Sequence, residues 1–222
     1  MPEAVIFDID GTLLDSVDLH AQAWQEAFRH FGHEIPFDKI RSQIGKGGDQ
    51  LLPVFLSAEE LKEKGKELEK FRGDLFKQKF LSQVRPFPAV RELFQKIKEK
   101  GQRIALASSA KPEELKKFEQ IANIEDLVEV ETSSGDAEKS KPHPDIFEAA
   151  LRRLGDKVRV EDVIVVGDSP YDAEAAGKAG LRTVGVLCGG FPEATLREAG
   201  CIAIYAGPQD LLNNYEDSPL AR

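Results

Sequence analysis

Only two cysteines, Cys188 and Cys201, occur in the 222 residues. They form neither a metal-ligand spacing nor a disulfide framework, so they read as reduced thiols of a cytoplasmic protein, with no catalytic duty. Basic residues are also scarce: 30 Lys and Arg stand against 39 Asp and Glu, a net charge of −9. Gripping a phosphate backbone needs clustered positive charge, whereas the lysine-rich stretches here are interleaved with glutamate, so a nucleic-acid surface is not expected. No apolar run reaches membrane length, and no basic leader with a cleavage site precedes the first strand pattern, so neither membrane nor export is expected. Internal repeats and low-complexity tracts are missing too. What is present is an ordinary 41% hydrophobic content in a chain long enough for one substantial core and a smaller module.

The most informative stretch runs from Val5 to Ser16, where a short apolar strand run leads into Asp8-Ile9-Asp10-Gly11-Thr12. Side chains two apart on a strand share a face, so a strand reaching Asp10 would present Asp8 and Asp10 to one reacting group as nucleophile and acid. A lone Asp-Gly is usually an ordinary turn, so the reading depends on partners elsewhere. Carboxylates that converge on one point repel one another, and cations must relieve the repulsion. Val163 to Asp172 supplies further carboxylates: an apolar run ends at Gly167-Asp168, and Asp172 follows at the start of a helical pattern. Asp172 alone could simply be a helix-terminal acid; grouped with Asp8 and Asp168, it offers oxygen donors suited to Mg²⁺. Lys141 precedes a stiff Pro-x-Pro element that opens a helix, with Lys139 a weaker candidate beside it. Ser108 and Ser109 close another apolar run just before a helix led by Pro112, where backbone N–H groups can bind phosphate oxygens.

These stretches, in this order, resemble the four motifs of the haloacid dehalogenase (HAD) superfamily: Asp-x-Asp-Gly-Thr, the strand-end serine, Lys-Pro-x-Pro-x-x-Phe and Gly-Asp-x-x-x-Asp. The resemblance covers essentially the whole chain and points to the phosphoglycolate phosphatase and beta-phosphoglucomutase-like subgroup. It implies that Asp8 forms an aspartyl-phosphate, that Asp10 serves as acid and base and lends its backbone carbonyl to Mg²⁺, and that Ser108 and the Ser109 N–H contact the phosphoryl group. Lys111 is a lesser possibility at that position. Lys141 would pair with phosphate and nucleophile, Asp168 would ligate the metal directly, and Asp172 directly or through water. The expected substrate is a small phosphorylated metabolite, and the expected assembly a monomer or weak homodimer.

The implied fold is α/β: a doubly wound parallel-sheet core, residues 1–15 and 86–222, with an inserted α-helical cap, residues 16–85. The residues give the same outline, since the strand ending near Asp10 is followed by a long helical stretch instead of a crossover. Helices are expected from Ser16 to Phe31, from near Pro36, and from Ser57 to Leu81, the last opened by the capping-box form Ser57-x-x-Glu60. Alternation of helix and strand follows, with strands expected at Arg103–Ala107, Leu127–Val130, Val163–Gly167, Thr183–Val186 and near Ala203, and a helix at Asp172–Ala179. In the insert, the segment Ile44 to Asp49 reads either as a flexible loop or as a substrate-facing one, with Lys46 and Gly47 as candidate substrate contacts. His20 is a candidate contact or positioning group near the acid, and Trp24 reads as core. A dehalogenase would lack Asp10. A sugar-phosphate mutase remains the second reading, although such relatives often carry an acidic pair where this chain has Gly167-Asp168, and an arginine in the cap loop. A receiver domain would lack the insert, and a catalytically quiet phosphate-binding protein is the remaining alternative.

Overall fold

The computed structural model describes all 222 residues. In chain order the strands are β1 (Ala4–Phe7), β2 (Leu14–Asp15), β3 (Arg85–Pro86), β4 (Arg103–Ala107), β5 (Val130–Thr132), β6 (Val163–Gly167), β7 (Arg182–Val186) and β8 (Cys201–Tyr205). Six of them form one parallel sheet in the order β5-β4-β1-β6-β7-β8, while β2 and β3 pair as a separate antiparallel ribbon. The chain therefore leaves β1 for one half of the sheet, then crosses back to β6 and builds the other half. Ligands of such sheets bind beyond the carboxyl ends of the strands at this switch point. Here Asp8, Ser108 and Asp168 follow directly on β1, β4 and β6.

The strands β1, β4 and β6 are almost entirely buried on both faces, which is why they read as continuous apolar runs without alternation. Phe7 is in register with Leu106 on one side and Val166 on the other, so the three strands end level. The helices are α1 (Val17–His30), α2 (Phe37–Arg41), α3 (Gly48–Leu51), α4 (Ala58–Leu75), α5 (Val90–Glu99), α6 (Pro112–Ala122), α7 (Asp145–Leu154), α8 (Pro170–Lys178), α9 (Glu193–Glu198) and α10 (Pro208–Asn213). The last four and α5 and α6 pack on the sheet. Helices α1 to α4 enclose a core of their own around Trp24, Phe28, Ile40, Leu52 and Leu68.

Local chemistry explains the ends. Ser57 and Glu60 form the reciprocal capping box expected from their spacing, which satisfies donors at the start of α4. That helix passes through one π-helical turn, Phe76–Phe80, before the chain returns to the core. Several expected boundaries shift. Strand β1 stops at Phe7, so Asp8 and Asp10 lie beyond it on a loop and do not share a strand face. Strand β5 begins at Val130, later than Leu127, because only Val130 to Thr132 find partners on β4. Helix α8 begins at Pro170, with Ser169 as its cap, so Asp172 sits inside its first turn. The glycine segment of the insert is partly helical, as α3. The helices α9 and α10 were not foreseen.

Candidate active site

Asp8 is buried where β1 gives way to the loop, and Lys141 Nζ donates to its Oδ1 at 2.5 Å. Lys141 is itself 1% exposed, and it also donates to the Ala107 carbonyl at 3.0 Å. Burying an ammonium this deeply is tolerated only with paired charge, and Asp172 Oδ1 at 2.8 Å supplies a second carboxylate. Asp172 Oδ2 accepts from the Ser169 hydroxyl at 2.6 Å and from its N–H at 3.1 Å, which locks the carboxylate at the start of α8. Its Oδ1 contact with Lys141 is an ion pair without hydrogen-bond alignment, and that oxygen has no other partner. Asp168 accepts from the Thr12 hydroxyl at 3.1 Å.

Carboxylate oxygens of Asp8, Asp168 and Asp172 all lie within 4.8 Å of one another. Burial pushes Asp8 from its ordinary value of 3.8 up to about 7, with the Asp172 and Asp10 charges adding to the rise and Lys141 opposing it. Burial likewise raises Asp168 well above the carboxylate range, reinforced by Asp172 and Asp8. Lys141 moves up despite its burial, because the two carboxylates outweigh desolvation. Three carboxylates thus share one ammonium, and the all-oxygen donor set, with an Asp172 oxygen that accepts no aligned hydrogen bond, fits a hard divalent cation of the Mg²⁺ type. Two glycines make room for the Asp168 carboxylate: a Cβ on Gly189 would lie 1.7 Å from its Oδ2, and one on Gly11 would lie 2.4 Å from it.

Asp10 belongs to a different environment. Its Oδ1 accepts from the Ser16 hydroxyl at 2.5 Å and lies 3.0 Å from His20 Nε2. Burial works to raise Asp10, but His20, Ser16 and the Arg72 charge together hold it below the ordinary carboxylate value. Ser16 stands at the N-cap position of α1 yet makes no capping bond, because its hydroxyl is turned to Asp10. His20 is stacked on Phe76 with ring centroids 3.9 Å apart. His20 therefore meets Asp10 directly, in a place where it can fix the orientation of that carboxylate.

A cavity of about 290 Å³ opens over these residues, between the sheet's carboxyl edge and helices α1, α3 and α4. Asp8, Asp10, His20, Lys46, Gly47 and Ser109 line it. Ser108 is buried behind the lining and its hydroxyl accepts from the Ala110 N–H at 3.1 Å. The Lys46 ammonium is engaged within the protein: it donates to Gln43 at 2.7 Å and sits 4.6 Å from the centre of the Tyr171 ring. Gly47 serves close approach, since a Cβ there would lie 2.1 Å from the Ser140 hydroxyl. The helical insert is seated on the core at this point: Ser140 N–H donates to Asp49 at 3.1 Å, Tyr171 donates to the Ser42 carbonyl at 2.6 Å, and Arg41 donates to the Gly189 carbonyl at 3.0 Å. Lys111 also lines the cavity; Lys139 does not, and its N–H is taken by Asp145. Thr12, Ser16, Arg72, Ser169 and Gly189 were not singled out from the sequence.

The profile of the haloacid dehalogenase-like hydrolases matches residues 5–186. The chain belongs to that family. It is 32% identical over 215 residues to a phosphorylated carbohydrates phosphatase of Thermotoga maritima, covering 95% of this chain and 97% of the relative. It is 29% identical to a phosphoglycolate phosphatase of Aquifex aeolicus, covering 83% and 84% of the two chains. The crystal structure of a hydrolase from Pseudomonas syringae superposes with a TM-score of 0.88 at 25% identity, covering 96% of this chain and 98% of the other. Family membership makes the chain a hydrolase, and phosphatase is the activity for which both of these sequence relatives are named.

Proposed function

We propose that this protein is a Mg²⁺-dependent phosphomonoester hydrolase that works through an aspartyl-phosphate on Asp8, acting on a small phosphorylated metabolite of the phosphoglycolate or sugar-phosphate kind. The observation that carries the proposal is the split between the two acids. Asp8 is held by Lys141 within a carboxylate cluster, whereas Asp10 is held apart by Ser16 and His20. Without a metal Asp8 is raised and Asp10 lowered, the reverse of what nucleophile and acid require. The roles therefore need a bound cation to keep Asp8 ionised, and the incoming phosphoryl charge to bring the proton onto Asp10.

Asp8 attacks phosphorus, the bond to the ester oxygen breaks, and Asp10 delivers a proton to the departing alkoxide. Asp10, now a carboxylate, takes a proton from water as that water attacks the aspartyl-phosphate, which restores Asp8 and releases inorganic phosphate. Lys141 holds Asp8 in line and offsets the charge that gathers on the phosphoryl oxygens, with the Ser109 N–H and the Ser108 hydroxyl at the same strand end. Asp8, Asp168, the Asp10 carbonyl and Asp172, directly or through water, would hold Mg²⁺, which when bound supplies charge neutralisation for a carboxylate meeting a phosphate dianion. Thr12 and Ser169 orient Asp168 and Asp172 from behind.

Residues 16–85 fit the part of a lid. Both chain crossings to this insert run side by side in the β2–β3 ribbon, a natural hinge, and in the seated arrangement its His20 meets Asp10. Closure would exclude water and complete the acid's surroundings in one motion. No helix of the chain is long and apolar enough to cross a membrane. A cytoplasmic monomer or weak homodimer remains the expected form. Assaying phosphate release over a panel of small phosphate esters, with and without Mg²⁺, tests the proposal; no release from any ester in excess Mg²⁺ would refute it.

A further inference from the structure

Two polar side chains that line the cavity each bury one atom without a hydrogen-bond partner in the protein. Arg72 projects from α4 with its guanidinium 4.7 Å from the centre of the Trp24 ring, and its Nε is buried without a hydrogen bond. Glu114, on the first turn of α6, is 8% exposed, and its Oε1 is buried and equally unpaired. Both line the same cavity as Asp8 and Asp10, one from the insert and one from the core. An unpaired buried donor or acceptor costs about 1–3 kcal/mol, and because both residues border one cavity, a ligand there can engage the polar ends of both side chains.

We infer that Arg72 and Glu114 together read the leaving group of the substrate, and that this group is uncharged and hydroxyl-bearing, as in a polyol or sugar phosphate. The inference rests on the phosphomonoesterase reading above. A hydroxyl can donate to Glu114 and accept from Arg72, whereas a leaving group carrying a carboxylate or second phosphate would satisfy Arg72 but meet the buried Glu114 charge. Apart from Asp8 and Asp10, the cavity lining carries five acidic and five basic side chains, so it offers no net attraction to a second anion. The Arg72 guanidinium stacked on Trp24 keeps its edge donors free for the ligand. A site built to hydrogen-bond a hydroxyl discriminates strongly against analogues that lack it.

The test compares kcat/KM for a hexose 6-phosphate, its 2-deoxy and other deoxy counterparts, 2-phosphoglycolate and an aryl phosphate, using the intact chain, Glu114→Leu, Glu114→Gln and Arg72→Met. The intact chain should prefer the hexose phosphate to 2-phosphoglycolate, and at least one deoxy ester should lose about tenfold or more. In Glu114→Leu the hexose phosphate should fall about tenfold further than the aryl phosphate, and Glu114→Gln, which keeps an acceptor oxygen, should recover part of that loss. Arg72→Met should likewise penalise the hexose ester more than the aryl one. Preference for 2-phosphoglycolate, or equal losses on both ester types in Glu114→Leu, would overturn the inference. If the aryl phosphate is not hydrolysed at all, the phosphomonoesterase reading fails separately. Calorimetric binding of the hexose phosphate and 2-phosphoglycolate to the intact chain and Glu114→Leu then decides the inference, which requires tighter binding of the sugar ester and its selective loss in the variant. Thermal unfolding of each variant excludes a folding defect as the source of any loss.

Discussion

His20 Nε2 lies 3.0 Å from Asp10 Oδ1, and this contact joins a helix of the insert to the catalytic loop of the core. In the proposed mechanism this contact completes the surroundings of Asp10 when the insert closes, which would couple closure to acid chemistry. Replacing His20 by alanine should lower kcat about 10- to 100-fold on an alkyl phosphate, whose alkoxide needs protonation. An aryl phosphate, with a better leaving group, should be affected less. Steady-state kinetics on the two ester classes measures the contrast, and equal losses would indicate a general closure defect.

The metal-free protein should lose stability with rising pH in a defined window. Folded Asp8 keeps its proton up to about 7, against an ordinary value of 3.8, so between those values the folded state binds more protons than the unfolded one. That contribution is complete below about 3.8 and is lost as the pH rises through about 7; the raised Asp168 acts in the same direction. Added Mg²⁺ should restore stability more at pH 8 than at pH 5. Thermal unfolding with and without Mg²⁺ at the two pH values checks this, and Asp8→Asn should flatten the metal-free pH dependence.

Gly189 should tolerate no side chain. A Cβ there would fall 1.7 Å from Asp168 Oδ2, and Asp168 is short, buried and tied to Thr12, so the carboxylate must move. Gly189→Ala should weaken Mg²⁺ binding about 10- to 100-fold, the scale seen when the support of a metal ligand is disturbed. Titrating activity and thermal stability with Mg²⁺ reads this directly.

Lys46 should matter less than its place in a glycine-rich segment implies. With its ammonium engaged by Gln43 and lying over Tyr171, Lys46→Ala should reduce kcat/KM less than about tenfold, well below the effect of Arg72→Met on a hexose ester. The same ester panel compares the two variants, and a larger loss for Lys46→Ala would show that the ammonium turns to the substrate.

The sheet and the core carboxylates were legible because fully buried strands leave unbroken apolar runs, and the groups at their ends stand out as polar punctuation: Asp8, Ser108 and Asp168. The pairing of Asp8 with Asp10 was legible for a different reason from the one the spacing offers. The strand stops at Phe7, and a loop brings the two acids together while giving them different partners. What stayed hidden depends on tertiary contact. Thr12 and Ser16 look like turn and cap residues until their hydroxyls are seen on Asp168 and Asp10. Arg72 sits in a helix crowded with lysine and glutamate, and only the packing of α4 over Trp24 separates it from its neighbours. The late start of β5 and the π-helical turn that places Phe76 against His20 likewise follow from what lies alongside them.

The central claim is that Asp8 carries the phosphoryl group. Asp10→Asn keeps the nucleophile but slows the hydrolysis that regenerates it, so this variant should accumulate the phosphoenzyme when mixed with an activated aryl phosphate and Mg²⁺. Mass spectrometry after rapid acid quench should find one phosphoryl group on the peptide containing Asp8, absent in Asp8→Asn, which should also be inactive. Turnover at a near-normal rate by Asp8→Asn, or a phosphoryl group on any other residue, would contradict the account.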